Sequence, residues 1–408
     1  MKESISISPC GTWQVPDQPS VACIQGDGIG EDIWPGARAV LDAAVNAVFG
    51  DDKKIDWVPV PAGESSFKQT GHWLPDQTLE TIRTLKVAIK GPLATPVGKG
   101  IRSLNVRLRK DLDLYACIRP VRYYPPVPSP MKHPEKVDMV VFRENTEDVY
   151  AGMEWDSGSP ECRQLMGMLK THLNCDLPES SALGLKPMSP ENTRRLVKKA
   201  CEYAFENHRK SVTLMHKGNI MKFTEGGFRK WGYEAAFDCF GDRMITEQDL
   251  YATYEGIVPD GHVVIRDRIA DMVFADVLLK PEQYDIIACP NLNGDYISDA
   301  LAAQVGGLGM APGANIGDAC AVFEATHGTA PDIAGKDMAN PCSLILSGAM
   351  MLDHFGWHAA GDAVRRAVGR ALAGEHLTPD LAGQIPGVKA VSCSKFSQIV
   401  ADSLFVNA

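Results

Sequence analysis

The chain lacks several features that would assign it at once to a broad class of protein. It has no run of about eighteen apolar residues, so we predict no membrane-spanning helix. Its first fourteen residues mix Lys2, Glu3, serines and Pro9, which argues against a signal peptide. The eleven cysteines are scattered and never spaced C-x-x-C. This pattern favours reduced thiols in a cytoplasmic protein over disulfides or a zinc site.

Positive charge is also scarce. The 41 lysines and arginines are outnumbered by 51 acidic residues, which gives a formal net charge of −10. An acidic balance offers no electrostatic footprint for nucleic acid or for an anionic membrane, so we expect neither as a partner. A small anionic ligand must therefore be bound by cations that cluster locally. At 408 residues the chain exceeds the usual size of one domain, and two domains are expected.

Short apolar runs alternate with longer amphipathic ones, which is typical of an α/β protein with crossover helices. Most of these short runs end in a polar or glycine-containing segment, such as Lys90-Gly91, Arg143-Glu144 or the stretch after Pro290. Because ligands of open α/β sheets bind beyond the carboxyl ends of strands, these segments predict one shared cleft. The predicted strands are 21–24, 87–89, 139–142, 212–215 and 285–289.

A glycine-rich loop follows the first predicted strand. In the segment 25–30 the third glycine comes one residue too early for the G-x-G-x-x-G pattern of a Rossmann loop. Two interpretations stay open for Gly26, Gly28 and Gly30: a tight structural turn, or a direct contact with a coenzyme.

Two acidic residues, Asp295 and Asp299, lie four positions apart where a helix is predicted to begin. This spacing puts both carboxylates on one helix face, as a hard divalent cation requires. Acids in the first turn also complement the helix dipole, so capping is the alternative. Asp271 is a third candidate ligand that spacing alone does not place.

A set of arginines and small polar residues follows the glycine-containing segment near residue 100. Three guanidinium groups that converge on one site would suit a polycarboxylate, because each can bind a carboxylate through two parallel hydrogen bonds. Taken singly, each arginine is also compatible with a surface ion pair. The residues of this set are Ser103, Asn105, Arg109, Arg119 and Arg143.

Further candidates for chemistry are Lys217, Tyr150 and a loop around His327. A lysine buried near a metal has its charged form disfavoured, which would make it a usable base. Tyr150 is a second candidate for proton transfer. The segment 324–331 surrounds His327 with small residues, which allows a ligand to approach the backbone closely, although a structural loop is the alternative.

Together these residues resemble the bacterial dimeric isocitrate dehydrogenases of the β-decarboxylating dehydrogenase family, over nearly the whole chain. The resemblance implies the three-layer α/β fold of isocitrate and isopropylmalate dehydrogenases, not a Rossmann fold. It also implies a large domain (1–114 and 306–408), a small domain (115–147 and 190–305) and a clasp that joins two subunits (148–189). The segments that carry it are 91–96, 101–105, 118–123, 142–148, 216–219 and 293–299.

The resemblance also implies an activity: the oxidative decarboxylation of isocitrate to 2-oxoglutarate, a step of the tricarboxylic acid cycle, with Mg²⁺ or Mn²⁺. Lys217 would accept the hydroxyl proton and Tyr150 would donate the last proton. Because Lys217 and Asp271 would come from the partner subunit, the enzyme would be a homodimer with shared active sites. Isocitrate would bind to Ser103, Asn105, Arg109, Arg119 and Arg143, and the metal to Asp271, Asp295 and Asp299.

The chain departs from the NADP-using members at the coenzyme site. Asp332 and Ile333 stand where those enzymes have Lys and Tyr, and Pro379 and Gly383 where they have Tyr and Arg. An acid would repel a 2′-phosphate but would accept a hydrogen bond from a ribose hydroxyl. We therefore predict an NAD-dependent enzyme. The predicted coenzyme contacts are Thr95, Glu324, His327, Gly328, Thr329, Ala330, Asp332, Ile333, Asn340 and Asp380.

Several alternatives stay open. The same reaction could use NADP, or the substrate could be homoisocitrate or isopropylmalate. A protein of another class, a catalytically silent sensor of a metal-bound dicarboxylate, is also compatible with the binding residues. Lys217 and Tyr150 argue against the sensor, because binding alone would not need them.

Replacing Ser103 with Asp should abolish turnover of isocitrate, because the new carboxylate would repel the substrate. The rate is measured by the absorbance of the reduced nicotinamide. Unchanged turnover would remove Ser103 from the site.

Overall fold

A computed structural model describes residues 4–9, 11–94 and 103–405 of the chain. Within these ranges the backbone forms seventeen strands: β1 (Ser6–Ile7), β2 (Trp13–Gln14), β3 (Ser20–Ile24), β4 (Asp56–Pro59), β5 (Val87–Lys90), β6 (Ala116–Arg122), β7 (Asp138–Glu144), β8 (Glu154–Trp155), β9 (Leu183–Gly184), β10 (Ser211–His216), β11 (Met244–Thr246), β12 (Val263–Ile269), β13 (Ile286–Cys289), β14 (Pro312–Ile316), β15 (Ala321–Ala325), β16 (His376–Leu377) and β17 (Lys389–Ala390).

Fourteen α-helices separate these strands within the described ranges. Several begin at a side-chain cap: the Ser189 hydroxyl accepts the Asn192 amide at the start of α6, and Thr246 and Asp249 form a capping box at the start of α8. The helices are α1 (Gly30–Phe49), α2 (Gly63–Thr70), α3 (Asp76–Leu85), α4 (Leu104–Asp111), α5 (Pro160–Leu173), α6 (Pro190–Glu206), α7 (Glu225–Phe240), α8 (Glu247–Thr253), α9 (Ala270–Leu279), α10 (Asn291–Gln304), α11 (Cys342–His354), α12 (His358–Leu372), α13 (Pro379–Ala382) and α14 (Cys393–Asp402).

Eleven strands form one sheet, in the order β11-β12-β10-β13-β7-β6-β14-β15-β5-β3-β4. The five strands from β11 to β7 are parallel to one another, and so are the four from β15 to β4. The central strands β6 and β14 make three successive antiparallel pairings, so the two parallel halves run in opposite directions.

This reversal corrects one expectation from the sequence. The carboxyl ends of β7, β10 and β13 lie at one edge of the sheet, but those of β3 and β5 lie at the opposite edge. The prediction that all these strand ends share one cleft at a single edge of the sheet is therefore wrong. Side chains from the two halves meet instead over one face of the sheet, at the central strands.

Helices cover both faces of the sheet, which gives three layers. On one face α1, α6, α7, α11, α12 and α14 pack on alternate strand residues such as Val21 and Cys23. The intervening residues, such as Ala22 and Ile24, face α3 and α4, while α9 and α10 pack further along the same face. The predicted fold class is confirmed: it is a three-layer α/β fold.

The predicted strands are confirmed with small changes in their ends, since β3, β5, β7, β10 and β13 cover them. Residues 148–189 form a short 3-10 turn (Asp148–Ala151), α5 and the short antiparallel pair β8–β9, and much of this stretch is exposed. Its assignment as a clasp stays a prediction. Along the described ranges, no helix is both long and apolar enough to span a membrane.

Candidate active site

The middle of the sheet brings charged side chains onto one face. Lys90 of β5 pairs with Glu324 of β15, and Asn315 of β14 donates a hydrogen bond to Glu324. Cys117 of β6 lies opposite both Asn315 and Arg143. Because residues opposite each other on paired strands share a face, these polar side chains project from the same side of the sheet, although their strands come from both halves.

Two helices, α4 and α10, lie over this face, and the region between them is called the cleft below. Leu104 and Leu108 bury α4 in one apolar cluster, whereas Ile297 and Leu301 bury α10 in a separate one. The polar strand residues lie between the two clusters, and polar side chains of both helices reach them. The cleft is therefore floored by the central strands and walled by α4 and α10.

Glu324 is the centre of a buried ion cluster on the α4 side. Its Oε2 lies 2.7 Å from Lys90 Nζ, and its Oε1 accepts from Arg109 Nη2 at 3.0 Å and Asn315 Nδ2 at 2.7 Å. The side chains of Lys90 and Glu324 are only 2% and 5% exposed. Burial alone would raise the pKa of Glu324, but Lys90 and Arg109 hold that pKa well below its usual range. Glu324 thus orients Arg109; its contact with a coenzyme stays a prediction.

Arg143 is held by the first turns of α10. Its Nε donates to Asn291 Oδ1 at 2.8 Å, and its Nη1 donates to Asp295. Gly294 makes this approach feasible, because a Cβ at that position would lie 2.5 Å from the Cβ of Arg143. Burial would raise the pKa of Asp295, but Arg143 and a tyrosine hydroxyl lower it overall.

Arg119 contacts the next turn of α10. Its Nη1 donates to Ser298 Oγ at 2.6 Å and to Asp299 Oδ1 at 3.2 Å. Burial raises the pKa of Asp299 in spite of the nearby guanidinium group. Asp299 is therefore a carboxylate whose charge is only partly compensated by the chain itself.

Each of the three arginines keeps one buried nitrogen without a hydrogen-bond partner: Arg109 Nε, Arg119 Nε and Arg143 Nη2. A buried donor left unpaired costs free energy, and native structures rarely keep three together. Asn105 Oδ1 is unpaired as well. The cluster therefore carries hydrogen-bonding capacity that a ligand with several anionic oxygens would use.

The remaining predicted substrate residues lie on α4. Asn105 is one turn before Arg109 and shares its helix face. Ser103 is the N-terminal cap residue of α4, yet its hydroxyl makes no capping hydrogen bond. Thr95, a predicted coenzyme contact, lies outside the described residues.

Tyr150 lies in a short 3-10 turn, Asp148–Ala151, at the other side of α10. Its hydroxyl donates to Asp295 Oδ2, and the Arg143 guanidinium stacks 4.8 Å from the centre of its ring. Burial and the hydrogen bond to Asp295 raise the pKa of Tyr150 to about 12. The hydroxyl is therefore protonated at neutral pH, as a proton donor must be.

Lys217 and Asp271 lie apart from this cleft along the sheet. Lys217 follows β10 and its Nζ donates to the carboxylate of Asp271, which begins α9 after β12. Two strand spacings, roughly 10 Å, separate β12 from β13 and the start of α10. Asp271 is exposed, so both groups are available to a second molecule.

Only two of the three predicted metal ligands are thus close together in one chain. Asp295 and Asp299 occupy successive turns of α10, and carboxylate oxygens suit Mg²⁺ or Mn²⁺. Within the described part of the chain, no group of three or more histidine, cysteine or acidic residues is arranged to hold a metal ion. The donor set fits a divalent cation if a further carboxylate comes from another chain, as the prediction for Asp271 requires.

The glycine-rich loop after β3 has a structural role. Gly26 and Gly28 have φ of 93° and 55°, and a Cβ on Gly28 would lie 2.1 Å from the carbonyl oxygen of Thr329. The Asp27 carboxylate accepts the backbone N–H of Ala94 at 2.7 Å. The interpretation as a tight structural turn is therefore favoured, and the turn fixes the loop that contains His327.

The loop 326–333 lies beside Glu324 at the end of β15. His327 keeps an unpaired buried Nε2, and burial lowers its pKa. Ala330 has a positive φ of 40°, which is unusual for a residue with a Cβ. The structure thus places the predicted contacts His327, Gly328, Thr329 and Ala330 in one constrained loop at the rim of the cleft.

Asn340 and Asp380, predicted as coenzyme contacts from distant segments, are brought together. Asn340 Nδ2 donates to Asp380 Oδ2 at 3.1 Å, and Asn340 Oδ1 accepts the Cys342 amide. Asp332 is exposed and Ile333 is half-buried, both on the run of turns that follows the His327 loop.

Some residues of the site were missed by the sequence reasoning. Lys90 was predicted only as a polar strand end and Ser298 only as part of the segment 293–299, whereas Asn315 and Gly313 were not predicted at all. Gly313 lies opposite Glu324, and a Cβ on it would lie 3.0 Å from the Thr326 side chain, so the glycine allows that side chain to pack closely. The one sequence signal that could have predicted any of these residues is a charge inside an apolar run, and only Lys90 shows it.

These features define a three-layer α/β protein with a cluster of buried arginines on one face of its sheet, between α4 and α10. Residues 20–400 match the family model described as isocitrate/isopropylmalate dehydrogenase. The chain belongs to this family.

Similar proteins extend over almost the whole chain. An isocitrate dehydrogenase (NADP) of Streptococcus mutans is 50% identical over 405 residues, covering 98% of this chain and 99% of that protein. One of the same name from Archaeoglobus fulgidus is 51% identical over 394 residues, covering 97% and 95%. The solved isocitrate dehydrogenase from Methylococcus capsulatus is similar with a TM-score of 0.78 at 33% identity, covering 95% and 99%.

The prediction of an NAD-dependent enzyme is wrong, because relatives that are about half identical are named as NADP enzymes. The prediction gave the charge of Asp332 too much weight. Asp332 is exposed, and in water two unit charges 4 Å apart repel by only about 1 kcal/mol. Lys336, four residues further along the same run of turns, is also exposed, and the prediction did not weigh its positive charge.

Replacing Lys90 with Met should lower the free energy of unfolding by about 3–5 kcal/mol, because it removes one partner of a buried ion pair. Urea denaturation measures this change. The matched control is Lys68→Met, whose ammonium is 76% exposed and pairs with Glu64 on the surface of α2; its loss should cost less than about 1 kcal/mol. Equal losses in the two variants would show that the Glu324 cluster does not stabilise the fold.

Proposed function

We propose that the protein is an NADP-dependent isocitrate dehydrogenase that converts isocitrate to 2-oxoglutarate and CO₂. The observation that carries the proposal is the set of three buried guanidinium groups with unpaired nitrogens, which suits the three carboxylates of isocitrate. The names of the relatives support both the substrate and the coenzyme. We also propose a cytoplasmic location, which rests on the scattered cysteines; the ten in the described ranges are free.

Different residues of the chain bind the substrate and transfer protons in the reaction. Arg109, Arg119 and Arg143 bind the carboxylates and hold the substrate against α10. Lys217 accepts the proton of the substrate hydroxyl as the C–H hydride leaves. Carbon dioxide then departs from the carboxylate that is β to the new ketone, and Tyr150 donates its hydroxyl proton to the carbon that remains. The Tyr150 hydroxyl carries this proton at neutral pH, because its pKa lies well above that range.

The metal and coenzyme are assigned to residues by the same proposal. Asp295 and Asp299, with Asp271 of the partner subunit, would hold Mg²⁺ or Mn²⁺, and the 326–333 loop with Asn340 and Asp380 would hold NADP. Bound there, the cation would supply Lewis acidity toward the substrate and NADP a hydride acceptor.

A homodimer with shared active sites is part of the proposal. Lys217 and Asp271 are surrounded by exposed apolar side chains, among them Ile220, Met272 and Phe223, which is 92% exposed. An apolar surface of this kind is typical of a contact between protein subunits. A second copy that covers it would bring Lys217 and Asp271 to the cleft of its neighbour.

The domain division proposed from the resemblance is compatible with this arrangement. Its boundary between 115–147 and 306–408 falls between β6 and β14, where the two halves of the sheet meet. The cleft then lies at the junction of the large and small domains, with 148–189 as the clasp.

Initial rates with isocitrate and Mg²⁺ should show a higher kcat/KM with NADP than with NAD. The absorbance of the reduced nicotinamide gives both values in one assay. Homoisocitrate and isopropylmalate serve as control substrates, and we expect little turnover of either. A preference for NAD would keep the substrate but contradict the proposed coenzyme.

Mixed dimers test the sharing of active sites. Lys217→Met and Tyr150→Phe should each lower kcat by about 10²–10⁴-fold, because each removes a proton-transfer group. When the two variants are unfolded together and refolded, half of the dimers should be mixed, each with one intact site. Roughly a quarter of the wild-type activity should return. No recovery, with mixed dimers shown by mass spectrometry, would place both groups in one subunit's site.

A further inference from the structure

Lys186 connects two buried carboxylates that belong to different parts of the site. Its Nζ contacts Asp148 and forms an ion pair with Glu225 Oε1 at 3.0 Å. The side chains of Asp148 and Glu225 are 1% and 0% exposed. Two carboxylates this deeply buried require a compensating cation, and Lys186 contacts both of them.

Asp148 controls the turn that carries Tyr150. Its backbone has a positive φ of 67°, which costs free energy for a residue with a side chain. Its Oδ2 accepts the Leu292 amide of α10 at 3.0 Å, and its Oδ1 accepts the Val149 amide at 2.7 Å. The carboxylate thus fixes the Tyr150 turn against α10, and Lys186 neutralises that carboxylate.

Glu225 controls the turn that carries Lys217. Its Oε2 accepts the backbone N–H of Lys217 and also the Asn293 side chain of α10, the latter at 3.0 Å. Glu225 is the first residue of α7, so it joins this helix to the Lys217 turn. The second carboxylate therefore fixes the other proton-transfer residue.

We propose that Lys186 is a positioning residue that links the turn of Tyr150 to the turn of Lys217. The inference rests on the proposed function, in which Tyr150 acts in the site of its own subunit and Lys217 in the site of the partner. The ionic bridge Asp148–Lys186–Glu225 therefore connects the proton donor of one active site to the proton acceptor of the other. A shift of either turn would therefore change the geometry of both active sites of the dimer.

Hydrogen exchange on the full-length dimer tests the link without reference to activity. Asp148→Asn weakens one end of the bridge, and asparagine tolerates the same positive φ. We expect faster exchange not only at 149–152 but also at 217–221, beyond the other carboxylate. In a Lys186→Met background the same substitution should leave 217–221 unchanged. An equal effect of Asp148→Asn at 217–221 with and without Lys186 would overturn the proposal.

Steady-state kinetics supply the second test. Lys186→Met should lower kcat by about 10–100-fold while KM for isocitrate changes less than about threefold, because Lys186 touches the proton-transfer turns and not the arginine cluster. Lys186→Arg should restore most of kcat, since it keeps the bridging charge. The control Lys136→Met removes an exposed pair with Glu282 and should change neither constant.

The outcomes separate a positioning role from a purely structural one. A raised KM with unchanged kcat in Lys186→Met would overturn the proposal, and so would a Lys186→Arg variant as slow as Lys186→Met. If Lys186→Met fails to fold, as its melting would show, Lys186→Arg and Asp148→Asn carry the test. If the protein does not turn over isocitrate at all, the proposed function fails, while hydrogen exchange still decides the link.

Discussion

The buried carboxylate of Glu324 is the constraint on which the site depends. An ionised carboxylate at this depth is tolerated only with cations beside it, and here the cations come from β5 and α4. The requirement fixes where α4 lies on the sheet. Arg109 is thereby held at the cleft, where its Nε, like Arg119 Nε and Arg143 Nη2, has no hydrogen-bond partner. Charge compensation within the fold and affinity for an anionic ligand are thus two consequences of one arrangement.

The reversal of strand direction decides how the other groups meet. Two parallel half-sheets that ran the same way would collect their functional groups at a single edge. Because β6 and β14 invert the direction, Arg119 and Arg143 project from the middle of a face, and α10 crosses above them with its acidic residues. Lys217 follows β10 and Asp271 follows β12, further from the centre of the sheet than β7 and β13. In the proposed dimer these two groups act in the cleft of the other subunit.

The coenzyme shows the limit of reading charge from sequence. The side chain at 332 is an acid, as the sequence shows. In a site with little water, a carboxylate would repel a phosphate strongly. Exposure is a property of the folded chain, and it reduces such a repulsion to about the size of thermal energy or little more. Relatives of about 50% identity along the chain, named for NADP, outweigh the differences at 332, 333, 379 and 383 on which the prediction rested.

The sequence by itself determined the α/β class, the main strands and the chemistry of most site residues, because apolar period and residue type are local properties. It also placed Asp295 and Asp299 on one helix face, since i to i+4 geometry follows from helix pitch. Tertiary structure alone decided that Lys90 meets Glu324, that Gly313 lies opposite Glu324, and that Lys186 joins Asp148 to Glu225. These contacts connect segments tens to hundreds of residues apart. Hydrophobic periodicity does not predict these contacts, because they depend on the order of the strands and on the pairing of buried charges.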